Sequence, residues 1–383
     1  MHKIDEFPEK VDFIGVSNNS KIVVAYSGDR VYMYNDVSDT KPLTKWQRTA
    51  EFADKLVSSI NNIKDIEVTD ISLSGDGRTL VVAYIGVGIE DNKLTSFLKV
   101  YTKNDNIYHA WINHSLLPLS KDDNKDNLKI KSISIDDSGT KIAVVNGIYD
   151  IRVYTVDLEN KVLLPPKIVY ALPQEGIIPI DNTKTVVSIS GDARRLAIGC
   201  SDGKINLDKK EGIITGYVKI FKYREEISYW SEETTIYDDY HACIDYGKGV
   251  ALSKIGNTLS VTSNYVSKDG KTNTAVYFYV YTESRKKSYW KRKSILGLEG
   301  NKVDKIQLNN SGTVLLVKND EGDNISAIKH NKSSNSYNRK MLLERFKETY
   351  EHKNTILDGL GKMLVSIVRD TKTSQFNLVV SDL

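Results

Sequence analysis

VSISGDARRLAIGCSDG, residues 187–203, decides the architecture. It opens on an alternating run, turns through Gly191 and Asp192, and leaves on a second run anchored by Leu196. Period-two alternation is the mark of a strand with one buried face, and Gly-Asp is turn chemistry, so the segment reads as a hairpin. One hairpin alone would decide little. The same turn and second run recur as NNSKIVVAYS (18–27), GDGRTLVVAY (75–84), DSGTKIAVVN (137–146), IGNTLSVTSN (255–264), NSGTVLLVKN (310–319) and GLGKMLVSIV (359–368). The anchoring aliphatics are Ile22, Leu80, Ile142, Leu196, Leu259, Leu315 and Leu364, spaced 49–63 residues apart. Seven copies at that period are a repeat architecture.

A third run follows in most copies: VYMY (31–34), LKVY (98–101), IRVY (151–154), VKIF (218–221) and FYVY (278–281). Copy six degrades to ISAI (325–328), and copy seven runs out as FNLVVSDL (376–383). Nine to twelve residues after the closing aromatic come Trp46, Trp111, Trp230 and Trp290, the four tryptophans of the chain. A shared repeat position gives them a structural role, covering the outer strand.

Four strands per copy and seven copies predict an all-β, seven-bladed β-propeller. Copy seven has three strands, and KIDEF (3–7) precedes the first complete strand, VDFIGVS (11–17), without belonging to any copy. The expectation is that this segment supplies the outer strand of blade seven, closing the ring and removing open sheet edges. The blades are expected at about 11–58, 68–117, 129–172, 184–238, 247–298, 302–347 and 354–383 with 3–7, all within one domain.

The chain resembles WD40-like propellers, and among them the divergent repeats of algal and giant-virus proteins. GYVKIFKYREEISYW (216–230) and VSISGDARRLAIGCSDG (187–203) carry the resemblance. The third strand ends in Tyr or Phe rather than Trp, and Asn35, Thr102, Thr155, Lys222 or Thr282 stands where a WD dipeptide has Asp. The resemblance therefore implies fold more than function. A Lys-, Asn-, Ile- and Tyr-rich composition fits an AT-rich genome, such as many large DNA viruses have.

Composition narrows the classes. Of 383 residues 40% are hydrophobic, enough for a large core, and 53 Lys plus Arg against 50 Asp plus Glu leave a net charge of only +3. That balance argues against a dedicated nucleic-acid binder. Two cysteines, Cys200 and Cys243, make no disulfide framework. MHKIDEF does not open like a secretory signal, and no apolar run reaches the ~18–20 residues of a membrane helix, so an intracellular or virion-associated protein is expected.

Loop lengths separate two faces. Turns between first and second strands are tight, whereas IGVGIEDNKLTS (85–96), SDGKINLDKKEGIITG (201–216) and NYVSKDGKTNT (264–274) are long connections between second and third strands. Long fourth-to-first connections, such as YDDYHACIDYGKG (237–249), emerge on the same face. Function gathers on loops held by a rigid scaffold, so this decorated face is the candidate binding surface, with Glu90, Asp91, Asp208, Lys209, Lys268 and Asp269 as candidate contacts.

No catalytic, metal or cofactor constellation stands out. Asp122, Asn124 and Asp126 alternate as in a calcium loop, but Asn127 and Ile133 occupy the positions that need Gly and Glu. His109 and His114 lie five apart on one strand and face opposite ways. Cys243 near His241 lacks a third partner. Carboxylates on the decorated face (Glu90, Asp91, Asp208, Asp238 and Asp239) could serve glycoside chemistry only if two converged. Arg285, Lys286, Lys287, Lys291, Arg292 and Lys293 surround Tyr289 and Trp290, a pattern that suits a polyanion or a blunted strand edge. RKMLLERFKETYEHK (339–353) reads as a short helix with Leu342, Leu343, Phe346 and Tyr350 on one face. The function expected is a non-catalytic protein-interaction or assembly scaffold, with a virion as one candidate assembly. A propeller enzyme acting on glycans and a glycan- or polyanion-binding module are the alternatives.

Overall fold

A computed structural model describes the chain apart from residues 1, 8, 39–44, 54–62, 91–93, 104–110, 122–129, 147–149, 161, 171–176, 179–184, 207–212, 239–242, 244, 267–269, 285–287, 299–302, 320–324, 332–335 and 342–349. It is a ring of seven antiparallel sheets, each with four strands that run in chain order from the axis outward, except that the outer strand of blade seven comes from the start of the chain. Blade one comprises Val11–Val16, Ile22–Ser27, Arg30–Asp36 and Trp46–Ala53. Blade two comprises Ile63–Leu73, Thr79–Gly88, Leu94–Lys103 and Trp111–Lys121. Blade three follows with Ile130–Ile135, Lys141–Asn146, Asp150–Asp157 and Val162–Tyr170. Blade four has Thr185–Ile189, Arg195–Asn206, Ile213–Arg224 and Tyr229–Ile236, with Ile177–Ile178 paired to its second strand. Blade five has Gly249–Leu252, Thr258–Val266, Thr272–Glu283 and Ser288–Leu298. Blade six has Val303–Leu308, Val314–Asn319, Ile325–Asn331 and Ser336–Met341. Blade seven has Tyr350–Leu357, Met363–Asp370 and Phe376–Asp382, and its fourth strand is His2–Phe7.

The expected closure by the N-terminal segment is therefore present, with His2 opposite Val380 and Phe7 opposite Phe376. The core is divided among the seven blade junctions. Between blades seven and one, for instance, Phe7, Val11, Ile14 and Tyr34 pack with Met363, Ile367 and Leu378. Blades three and four share Val153, Val169, Leu196, Phe221 and Trp230. Each sheet is thus buried on both faces except at its outer strand, which explains the apolar middle strands. Trp230 is buried, and the four tryptophans hold one register position, facing Asp36, Lys103, Tyr223 and Tyr281 on the third strands.

The tight turn is built the same way seven times. Ser17, Ser74, Asp136, Ser190, Ser253, Asn309 and Asp358 each end the first strand with a side-chain oxygen. That oxygen accepts the N–H five residues on, at 2.7–3.1 Å. Such local capping is why Ser, Asn and Asp punctuate the repeat. The fourth turn residue has positive φ in every blade. It is Gly in five blades, Ser20 in blade one (+64°) and Ala193 in blade four (+56°). The turns of blades one to six also each donate a backbone N–H to the next blade's turn, from Asn18 N to Gly75 O (2.8 Å) through to Asn310 N to Gly359 O (2.8 Å).

Three expectations need correction. The anchor of blade one is Val23, which faces Tyr34 as Leu80 faces Tyr101; Ile22 is one residue early and faces Asn35. In blade five the aromatic in register is Tyr279, opposite Leu259, so the equivalent of VYMY is VYFY (276–279), not FYVY. Strand period two hides a two-residue slip because the face is unchanged. The helix over 339–353 is not formed at either end. Residues up to Met341 continue the outer strand of blade six, Tyr350 opens the inner strand of blade seven, and Leu342, Leu343 and Phe346 lie outside the described residues. At both described ends, spacing at 3.6 residues coincides with strand instead.

Candidate functional site

The inner strands position one polar tier around the axis. Three residues before each inner strand ends stand Phe13, Asp70, Ser132, Val186, Gly249, Lys305 and Asn354, one from each blade, and all seven line a single axial cavity of about 320 Å³. In five blades the pairing register shifts immediately before this residue. Bulges of that kind twist a strand and re-aim the side chain that follows.

An inner strand has no neighbour on its axial side, so its remaining backbone groups need other partners. Side chains of the preceding blade supply them. Asp70 Oδ2 accepts from Ile133 N (3.1 Å), Ser134 Oγ from Ile189 N (3.1 Å) and Ser188 Oγ from Leu252 N (3.0 Å). Gln307 spans to blade seven twice, accepting from Leu357 N (2.8 Å) and donating to Leu357 O (2.7 Å).

The cavity's charge is uneven. Lys131, Lys305 and Lys318 line it against one described carboxylate, Asp70. Lys305 and Lys318 stand directly opposite each other in register. Lys318 Nζ donates to Asn354 Oδ1 (2.8 Å). Burial, reinforced by the charge of Lys305, pushes Lys318 down to about 7, with Asp70 opposing. Burial likewise raises the Asp70 carboxyl, against the pull of Lys305 and two backbone N–H bonds.

The decorated face is more structured than its loop lengths suggest. The long second-to-third connections of blades two, four and five are largely strand. Pairing continues to Val87–Leu94, Asn206–Ile213 and Val266–Thr272, so three hairpin arms stand beyond the blades. The blade-five arm is fixed at its base. Asp245 accepts from Asn264 N (2.6 Å) and Nδ2 (2.7 Å), and Thr274 Oγ1 donates to Asn264 Oδ1 (2.9 Å). Thr274 Oγ1 also accepts from Val303 N of blade six (3.1 Å).

Among the sequence-predicted contacts, Glu90 is exposed at the tip of the blade-two arm; Asp91, Asp208, Lys209, Lys268 and Asp269 lie outside the described residues. So do Arg285, Lys286 and Lys287. Lys291 and Lys293 are exposed on the outer strand of blade five, and Arg292 turns to the other side, 3.9 Å from Asp238. Of the carboxylates considered for glycoside chemistry, Glu90 and Asp238 are described, and neither lines the axial cavity. Cys243 Sγ shares a hydrogen bond with Tyr277 Oη (2.8 Å), and burial pushes its thiol up to about 11, away from thiolate chemistry. His241 and the 122–127 segment lie outside the described residues. Among the described residues no group of three His, Cys, Asp or Glu could hold a metal, and no helix is long and apolar enough to cross a membrane.

Asp70, Lys305 and Lys318 escaped the sequence reading. Aligning the inner strands at their closing aliphatics would have exposed Asp70 and Lys305 as charges in an axial column otherwise filled by Phe, Ser, Val, Gly and Asn.

No protein-family model matches the chain, and no curated protein matches it. Solved structures do. The β-propeller domain of Cps50 (Swd1) from Myceliophteria thermophila is similar over 98% of this chain and 98% of that one, with 8% identity and a TM-score of 0.56. The periplasmic gluconolactonase PpgL of Pseudomonas aeruginosa is 15% identical over 86% of this chain and 83% of that one, with a TM-score of 0.50. A putative 6-phosphogluconolactonase from Bacteroides uniformis is 12% identical, over 86% and 84%, with a TM-score of 0.51. At such identities the likeness shows the β-propeller fold alone.

Proposed function

We propose that the protein is a protein-interaction scaffold that engages its partner through the decorated face. The observation that carries this reading is the set of three hairpin arms in blades two, four and five. Extending a hairpin costs ordering entropy and leaves strand edges unpaired, so projecting arms suit a surface that another chain covers. The WD40 structural neighbour is compatible with protein partners. Resemblance to giant-virus propeller repeats suggests a large particle, such as a virion, as the setting. Glu90, Asp91, Asp208, Lys209, Lys268 and Asp269 are the proposed contacts, since they cluster at the arm tips in sequence.

The experiment is purification of the tagged chain from its native source, with mass spectrometry of what stays bound. A stoichiometric protein retained at moderate salt, and lost when 207–212 is replaced by a two-residue turn, supports the scaffold. Recovery alone at low and moderate salt overturns it.

A further inference from the structure

We propose that the axial cavity binds a small multivalent oxyanion, phosphate or a phosphate-bearing metabolite, between Lys305 and Lys318 on the blade-six wall, facing Asp70 on the opposite side of the ring. The size is appropriate. Small-molecule sites occupy about 300–1,000 Å³, and the cavity measures about 320 Å³. The charge is appropriate too: three lysines against one carboxylate among the described lining residues.

The arrangement of those charges is the stronger argument. Lys305 and Lys318 occupy directly opposed positions on neighbouring strands, where like charges repel. Asp70 does not relieve them by contact. Its two oxygens accept the N–H groups of Ile71 and Ile133, both at 3.1 Å, and it forms no ion pair with either lysine. Lys305 has no hydrogen bond or ion pair among the described residues, although the charges of both Lys318 and Asp70 feel it. A pair of lysines held together in a walled cavity, with the facing carboxylate in contact with neither, is a preorganised anion site. Asn354 completes it. Lysine is donor-only, so the amide turns Oδ1 to Lys318 Nζ (2.8 Å) and keeps Nδ2 as a further donor. With Lys318 protonated, as it is below its lowered value of about 7 and as a bound anion favours, charge-assisted bonds from two ammonium groups and one amide match the several oxygens of a phosphoryl group.

The test is calorimetric titration of the intact chain with inorganic phosphate and with sulfate, at constant ionic strength. One saturable site per chain is expected for both anions. Its affinity should fall at least about tenfold in Lys305→Gln, an exposed position where folding is not at stake, and further in Lys318→Met. Asp70→Asn should tighten binding, because it removes the one opposing charge. Lys291→Gln with Lys293→Gln, on the outer strand of blade five, should leave it unchanged. No saturable binding up to about 20 mM anion overturns the proposal. Unaltered affinity in Lys305→Gln overturns it as well, as does loss of binding in the outer-strand variant. The partner captured by the decorated face plays no part in this readout, so the two readings fail separately.

Discussion

Arg195 in blade four grips Glu233 with both arms of its guanidinium, Nε to Oε2 at 3.0 Å and Nη2 to Oε1 at 3.1 Å. Glu233 Oε2 also accepts from Trp290 Nε1 of blade five (3.0 Å), and the guanidinium lies 3.9 Å over the ring of Tyr281. One buried ion pair therefore joins two blades through a repeat tryptophan. Glu233→Ala strands a buried guanidinium and should cost about 3–5 kcal/mol. Urea unfolding measures it, and Glu233→Gln should fall between that variant and the parent. Burial raises the Glu233 carboxyl, but the bonds from Arg195 and Trp290 and the Arg195 charge outweigh it and hold the group below its ordinary value. The stabilisation is thus complete above the ordinary carboxylate range and disappears as pH falls through the lowered value. In Glu233→Gln that acid-side loss should be smaller.

The positive-φ turn residue yields an opposed pair of substitutions. Gly77 has φ +74°, and a Cβ there would come 2.6 Å from Ile22 Cδ1, so Gly77→Ala should destabilise by at least about 1–2 kcal/mol. Ala193 already bears that cost at φ +56°. Ala193→Gly should stabilise by about 0.5–1 kcal/mol, once the added flexibility of the unfolded chain is subtracted. Thermal unfolding of both variants checks the sign.

The blade plan was legible because one physical device repeats. The capping side chain, the turn and the aliphatic anchor recur seven times, and noise in any copy is outvoted. The errors lie where alternation alone had to set position. Ile22 and Val23 are both β-branched aliphatics, so only the pairing with Tyr34 separates them. Loop length gave the decorated face but not the arms, since IGVG (85–88) and IITG (213–216) carry enough Gly to read as loop while the backbone still pairs, regularly in blade two and past a register shift at Gly216 in blade four. The candidate contacts followed from those loops. The axial tier did not, because its chemistry is assembled from seven strands that no local window joins.

Lys318 should govern an alkaline rise in stability. In the unfolded chain its ammonium keeps the ordinary lysine range near 10.5, whereas in the fold it is pushed down to about 7. The native state therefore binds fewer protons between those values, and stability increases as pH rises through that window. Below it the buried charge is a standing penalty. Lys318→Met should be more stable than the parent at about pH 6, and its stability should vary less up to about pH 9. Chemical denaturation at the two pH values decides; a parallel pH dependence in parent and variant removes Lys318 as the cause.

Phe7 tests the closure. It is 2% exposed, packs edge-on to Tyr32 with centroids 5.1 Å apart, and belongs to the core shared by blades seven and one. Phe7→Ala should cost about 3–5 kcal/mol by denaturant unfolding. Exposed neighbours on the same strand, such as Lys3, should be replaceable with little effect.

That closure also orders events in time. His2 meets Val380, so the ring's seam joins segments at opposite ends of the chain. Six blades are assembled from contiguous sequence and can form as the chain lengthens, whereas the seventh waits until residues 376–382 exist. Until then the early strand has no sheet to complete, and blade seven has an unguarded edge. Among the ring's strand pairings that single late meeting spans the longest stretch of chain, and so carries the largest loop-closure cost.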